Sequence, residues 1–155
     1  MEQIKLELLN QIAEVELIYR SKVKASDRPK ITRSNDAYEL FIQYWDENKL
    51  EFVEEFKVML LNKANKVLGI CQLSTGGISG TVADPKLIFM SALKCNASYI
   101  VIAHNHPSGN LKTSRQDEEL TVKIKEGGKF LDLPLLDHLI ITDEGYFSFA
   151  DEGLL

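Results

Sequence analysis

Cysteine, histidine and long apolar runs are all scarce in this chain. The two cysteines, Cys71 and Cys95, lie far apart and form no C-x-x-C motif, which argues against a disulfide framework or a cysteine zinc site and predicts reduced, buried thiols. No apolar stretch approaches the roughly 18–20 residues of a membrane-spanning helix, and the acidic, amphipathic start is unlike a secretory signal. We therefore expect a cytoplasmic protein with no membrane segment.

An excess of positive charge is also absent, since the formal net charge is −5. Nonspecific binding to nucleic acid depends on clustered Lys and Arg that displace counterions from phosphates, so direct DNA binding is disfavoured. Hydrophobic residues make up 45% of the chain and charged residues 26%, which is typical of a globular protein. At 155 residues the chain is long enough to bury a core as one domain.

Residues 1–30 are interpreted as an N-terminal extension. The alternation of Val15, Leu17 and Tyr19 predicts a strand, and the polar residues that follow predict a linker. The sequence does not show whether this extension packs on the rest of the protein or mediates assembly.

Residues 31–155 predict one α/β domain. A helix begins near Ser34 and carries an apolar stripe at helical spacing, formed by Tyr38, Phe41, Ile42 and Trp45. Two strands joined by a hairpin loop follow at 54–62 and 66–74, and Asp84 with Pro85 predicts the start of another helix. Strands and helices then alternate, which indicates a mixed sheet covered by helices.

The second half of this domain contains the segment that carries the chemistry. The apolar run 98–104 predicts a central strand that is buried on both faces. A helix is expected to begin at Ser114 and to stop at Gly127-Gly128. Two more strands are predicted in LLDHLIIT and GYFSFA, joined by a turn at 143–145.

Two of the three histidines, His104 and His106, stand one residue apart at the carboxyl end of the predicted central strand. Residues i and i+2 of a strand project from the same face, so both imidazoles can point to one position, as metal ligands do. This spacing alone is weak support for a metal site. The alternative is that one histidine packs in the core while the other is solvated.

Ser114 and Asp117 strengthen the metal interpretation. Their spacing is that of a capping pair, which satisfies unpaired N–H groups at a helix start. The first turn of such a helix can also return over the strand end, where Asp117 would add an oxygen ligand to a tetrahedral zinc. Three protein ligands and a water are the pattern of a catalytic zinc site rather than a structural one.

Together these residues reproduce a known motif. His104-x-His106-(x7)-Ser114-x-x-Asp117 matches the H-x-H-x(7)-S-x-x-D core of the JAMM, or MPN+, metalloproteases. The segments AHNHPSGN and GYFSFADEG resemble the RadC branch of that superfamily, and the similarity covers roughly residues 32–155. The resemblance implies an α/β/α sandwich around a mixed β-sheet, a JAB/MPN domain similar in layout to cytidine deaminases.

The resemblance also implies a mechanism. Zn²⁺ is held by His104, His106 and Asp117, with water as the fourth ligand, and Ser114 helps to stabilise the oxyanion. A glutamate at the head of an earlier strand acts as general base; the pattern E-x-x-h-h-L-L aligns best from Glu55, and Glu54 is the alternative. The implied reaction is hydrolysis of a peptide or isopeptide bond in a peptide or protein substrate.

Two other features are interpreted as structural. His138 lies between apolar residues of a predicted strand, so we expect a core histidine bonded to a neighbour such as Asp137 or to a main-chain group rather than a ligand. The glycine-rich residues 74–81 lack the Lys-Ser/Thr that completes a P-loop. We expect a plain loop there, with a place at the border of the cleft as the alternative.

Other functions are weighed against hydrolysis. The RadC name suggests a DNA-repair or mobile-element accessory role, but longer relatives carry an N-terminal helix-hairpin-helix region that this chain is too short to include. A non-catalytic interaction module would keep a buried polar cluster at a desolvation cost without structural gain. A zinc deaminase is disfavoured because the H-x-E and P-C-x-x-C elements are absent. The sequence leaves the substrate and the oligomeric state open.

Overall fold

A five-stranded mixed sheet forms the centre of the protein. The computed structural model describes residues 11–13, 15–16, 18–76 and 83–155. The strands are β1 Glu55–Leu61, β2 Val67–Thr75, β3 Tyr99–Asn105, β4 Leu135–Ile141 and β5 Tyr146–Ser148, in the spatial order β2-β1-β3-β4-β5. β3 and β4 run parallel, and the other neighbouring pairs are antiparallel.

Helices cover both faces of this sheet. The helices are α1 Ser34–Tyr44, α2 Glu47–Leu50, α3 Pro85–Lys94 and α4 Arg115–Phe130. One apolar core joins α1 and α2 to the sheet through Phe41 and Leu50, and a second joins α3 and α4 to the other face through Ile88 and Ile124. The α/β/α sandwich implied by the resemblance is therefore confirmed.

The central strand β3 contributes to both cores. Ile100 and Ile102 pack on the α3–α4 side, while Val101 and Ala103 pack on the α1 side. This period-2 alternation explains the nearly continuous apolar run in the sequence, because a strand covered on both faces has no solvent side. The same alternation determines the face on which each polar residue at the strand end lies.

Most of the predicted elements form close to their expected limits. The hairpin of β1 and β2 is present, with Asn65 in the left-handed region at φ 59°. Asp84 caps α3 by accepting the Lys86 N–H at 2.9 Å, and Pro85 is the first helical residue. The apolar stripe of α1 is also confirmed, since Phe41 and Trp45 are buried in the α1-side core.

The predicted stop of α4 at Gly127-Gly128 is wrong, because the helix continues to Phe130. These glycines allow a close approach instead. A Cβ added to Gly128 would lie 2.2 Å from the Leu133 carbonyl oxygen, and one added to Gly127 would lie 2.9 Å from the Phe89 ring. The Gly127 contact is with another helix, which a local signal does not show. Gly128 instead makes room for the chain that leaves α4, where the Leu133 N–H donates to the Gly128 carbonyl at 2.7 Å.

The strand predicted at 15–19 does not form at residues 15, 16, 18 and 19, and Leu17 lies outside the described residues. Tyr19 instead donates a hydrogen bond from its hydroxyl to the Leu68 carbonyl on β2, at 2.9 Å. The glycine-rich loop falls outside the described residues from 77 onwards.

Both cysteines are free thiols, with Cys95 buried and Cys71 partly exposed. The expectation of burial is therefore met for Cys95 alone. Across the described parts of the chain, no helix combines the length and apolar character needed to cross a bilayer.

Candidate metal centre

The two histidines meet at the carboxyl end of β3. Their Nε2 atoms lie 3.0 Å apart, and their ring centroids lie 4.9 Å apart. His104 is buried below Phe56, whose ring stacks on it, and His106 lies one residue beyond the strand with its side chain 18% exposed. The predicted convergence of the two imidazoles is therefore present in the structure.

A tight turn orients His106. The Gly109 N–H donates to the His106 carbonyl at 2.9 Å, with Pro107 at the second turn position and Gly109 at φ 77°. The turn brings the Asn110 carbonyl to 2.5 Å from His106 Nδ1. Because a carbonyl only accepts, Nδ1 carries a proton. Nε2, the nitrogen left to bind a metal, faces His104.

Asp117 joins the histidines from the first turn of α4. Its Oδ1 lies 3.2 Å from His104 Nε2, and its Oδ2 lies 3.8 Å from His106 Nε2. The Ser114 N–H donates to Oδ2 at 2.8 Å, and the Asp117 N–H donates to Ser114 Oγ at 3.1 Å. One carboxylate thus closes a capping box and faces both imidazoles, so the capping and site interpretations of Asp117 are compatible.

The Asp117 carboxyl group is ionised. Burial raises its pKa, but the hydrogen bond and charge of His104, together with the hydrogen bonds from Ser114, outweigh burial and hold the pKa well below its usual range. The group is therefore an anion at neutral pH, the form in which a carboxylate binds a metal.

Glu54, rather than Glu55, lies beside the histidines. Its Oε1 is 4.0 Å from His104 Nε2, and ligand atoms of Glu54, His104 and His106 all lie within 4.8 Å of one another. The alternation of β1 explains this placement, because Phe56 contacts the His104 ring and Glu54 is two residues earlier on the same side. The sequence pattern favoured Glu55, so it placed the glutamate of the site one residue too late.

Glu55 belongs to a buried polar cluster on the opposite face. Its carboxylate accepts hydrogen bonds from Lys57 Nζ at 3.3 Å and from Gln72 Nε2 at 2.7 Å. The Lys57 ammonium also lies 4.4 Å from the centroid of the Trp45 ring, and burial lowers its pKa. The expected placement of Glu55 in the site is therefore corrected: this residue contributes to packing between the hairpin and α1.

Asn105, at the end of β3, forms hydrogen bonds with the segment that contains Glu54. It is fully buried on the face opposite the histidines, where its Nδ2 donates to the carbonyls of Leu50 at 2.7 Å and Val53 at 2.8 Å. Its Oδ1 accepts the Glu55 N–H at 2.7 Å. These hydrogen bonds hold residues 50–55, and so Glu54, against the end of β3.

Replacing Asn105 with alanine should lower the free energy of unfolding by about 2–3 kcal/mol, because two buried main-chain groups and one partly buried main-chain group lose their partner. Urea unfolding measures this loss. Asn62→Ala is a matched control, since Asn62 Oδ1 also accepts main-chain N–H groups, from Ala64 and Lys66, but in a partly exposed hairpin loop. Equal losses in the two variants would contradict the role given to Asn105.

His138 is a fully buried core histidine, as expected, but its ring bonds other side chains instead of Asp137 or a main-chain group. Its Nε2 lies 2.9 Å from His104 Nδ1, and its Nδ1 lies 2.7 Å from Thr121 Oγ1. Asp137 Oδ1 accepts the main-chain N–H of His138 rather than bonding its ring. Burial lowers the pKa of His138 well below its ordinary value, so the ring is neutral.

The geometry of this centre fits a small tetrahedral metal ion. Two atoms that each lie about 2.0–2.1 Å from a tetrahedral zinc are about 3.3 Å from each other. The distances from His104 Nε2 to His106 Nε2 and to Asp117 Oδ1 are 3.0 and 3.2 Å. Two imidazoles and a carboxylate are also a donor set that catalytic zinc sites use.

Comparison with known proteins yields one family and many relatives. The model of the RadC-like JAB domain matches residues 31–154. A UPF0758 protein of Flavobacterium johnsoniae is 46% identical over 125 residues, covering 81% of this chain and 53% of the relative. A UPF0758 protein of Porphyromonas gingivalis is 50% identical over 103 residues, 66% of this chain and 45% of the relative. The chain thus spans about half the length of these curated relatives.

Proposed function

Since this chain belongs to the RadC-like JAB domain family, we propose that it is a zinc-dependent hydrolase that cleaves a peptide or isopeptide bond. The observation that carries the proposal is the convergence of two imidazoles and Asp117 within 3.0–3.8 Å, beside a second carboxylate. His104, His106 and Asp117 would hold the ion. When bound, zinc supplies a Lewis acid and lowers the pKa of water to about 7.

Glu54 is the proposed general base. Its carboxylate lies 4.0 Å from His104 Nε2, whereas the Asp117 oxygen lies 3.2 Å from the same atom. The longer distance favours Glu54 as a group that transfers protons and Asp117 as the metal ligand. In this role Glu54 accepts the proton of the attacking water and delivers it to the leaving amine. Its side chain is 18% exposed, so water can reach it.

Ser114 is the proposed oxyanion donor. Its Oγ accepts the Asp117 N–H, which fixes the hydroxyl at the N-terminus of α4 and leaves its proton available for donation. The helix N-terminus adds a partial positive charge at the same place. Both features favour negative charge developing on the carbonyl oxygen of the scissile bond.

A peptide or protein substrate is consistent with the charge of the chain. The net charge of −5 opposes a polyanion as the substrate, because a phosphate backbone is bound through an excess of Lys and Arg. Amide hydrolysis needs a water nucleophile, a base and an oxyanion donor, and these roles match the residues assigned above.

The proposal is tested by a peptide cleavage screen with metal control. The purified protein is expected to bind about one equivalent of zinc and to cleave a subset of proteome-derived peptides. A chelator should stop cleavage, and added zinc should restore it. The absence of zinc binding, or cleavage that survives complete metal removal, would overturn the proposal.

A further inference from the structure

A chain of hydrogen bonds runs from α4 through the core to the metal centre. Thr121 Oγ1 lies 2.7 Å from the Asp117 carbonyl oxygen and 2.7 Å from His138 Nδ1. His138 Nε2 lies 2.9 Å from His104 Nδ1. Thr121, His138 and His104 are all buried, so each proton in this series of hydrogen bonds lies between two protein groups.

The direction of these bonds follows from the carbonyl at one end. The Asp117 carbonyl only accepts, so the single hydroxyl proton of Thr121 is used there, and Oγ1 must accept from His138 Nδ1. The neutral His138 ring then has a lone pair on Nε2, which accepts from His104 Nδ1. The neutral form of His104, which is the form that binds a metal, then presents an unprotonated Nε2 to His106 and Asp117.

The opposite direction would block the site. It would give His104 a proton on Nε2, directed at the Asp117 oxygen 3.2 Å away, where no metal could then bind that nitrogen. It would also set Thr121 Oγ1 against the Asp117 carbonyl oxygen at 2.7 Å with no proton between them. Because the Asp117 carboxylate attracts a proton to Nε2, an acceptor on the far side of the ring is needed, and His138 supplies it.

We propose that Thr121 and His138 are positioning residues that fix the tautomer of His104 and thereby raise the affinity of the centre for its metal. This inference rests on the proposed function. A hydrogen-bonded partner behind a metal-binding histidine commonly contributes tenfold to hundredfold in affinity. Here the hydrogen bonds also extend from Thr121 to the main-chain carbonyl of Asp117. Two of the proposed ligands, His104 and Asp117, are therefore connected through Thr121 and His138.

The test compares Thr121→Val with Thr121→Ser. Valine keeps the branched shape but removes the hydroxyl, whereas serine keeps the hydroxyl. Zinc affinity, measured by competition with a chromophoric chelator, is expected to fall about tenfold to hundredfold in Thr121→Val and to stay within a few-fold of the original in Thr121→Ser. Equal affinity of the valine variant and the original protein would overturn the inference while leaving the proposed function intact.

A second measurement needs no variant. Two-bond ¹H–¹⁵N spectra of the metal-free protein, recorded in alkaline buffer where imidazoles are neutral, report which ring nitrogen of each histidine carries its proton. The expected result is a proton on Nδ1 of both His104 and His138. A proton on Nε2 of His104 would overturn the inference. If the protein binds no zinc, the proposed function fails, and these spectra still decide the direction of the hydrogen bonds.

Discussion

Replacing Glu54 with glutamine is expected to lower kcat by about 10²–10⁴-fold, the usual contribution of a general acid–base group. Glutamine keeps the size of the side chain but cannot accept the proton of the attacking water. Zinc content should not change, because Glu54 lies farther from His104 Nε2 than Asp117 does. The measurement is cleavage of a peptide found in the screen, with zinc determined on the same sample.

Glu55→Gln is the matched control for Glu54→Gln. The adjacent Glu55 makes its contacts with Lys57 and Gln72 on the other face of the sheet. Losing its charge should reduce the free energy of unfolding by roughly 1.5–3 kcal/mol, the range for a hydrogen bond to a charged group. The folded variant should retain cleavage within a few-fold. If Glu55→Gln abolished cleavage and Glu54→Gln did not, the proposed base would be wrong.

Replacing Asp117 with asparagine should abolish zinc binding at concentrations that saturate the original protein. The amide keeps an oxygen able to accept the Ser114 N–H, so the change mainly removes the negative charge that faces His104 and His106. Loss of a direct ligand should exceed the tenfold to hundredfold effect of losing an outer hydrogen-bond partner. Zinc titration by competition or calorimetry measures the affinity.

Ser114→Ala distinguishes the helix-capping role of the Ser114–Asp117 pair from the binding of zinc by Asp117. This variant removes the side-chain oxygen that accepts the Asp117 N–H, which should reduce the free energy of unfolding by about 1 kcal/mol. Asp117 keeps the Ser114 main-chain N–H as a donor, so zinc should still bind. If Asp117→Asn bound zinc as tightly as Ser114→Ala, the assignment of Asp117 as a ligand would fail.

The local elements follow from local signals in the sequence. The β3 run of apolar residues, the Asp84-Pro85 helix start and the Ser114–Asp117 capping pair each describe a few neighbouring residues, and all three form. The H-x-H spacing also suffices to bring two imidazoles together, because period-2 alternation is a property of any strand. Residues close in sequence therefore predicted the place of the candidate metal centre.

Contacts between distant segments required the tertiary structure. Pairing of β1 with β3, which sets Phe56 opposite His104, decides that Glu54 rather than Glu55 reaches the histidines. The hydrogen bonds of His138 to His104 and Thr121 join residues 34 and 17 positions apart, beyond any local pattern. Gly127 likewise reflects contact with the Phe89 ring of α3 rather than the end of a helix.

The sequence by itself determined the alternation of helices and strands around a mixed sheet and the motif that contains His104, His106 and Asp117, since both depend on periodicity and spacing within short segments. Only the tertiary structure decided which glutamate faces them and which residue forms a hydrogen bond with His104 Nδ1. Those choices depend on strand register and on side chains buried between layers, where a shift of one residue reverses the face on which a side chain lies.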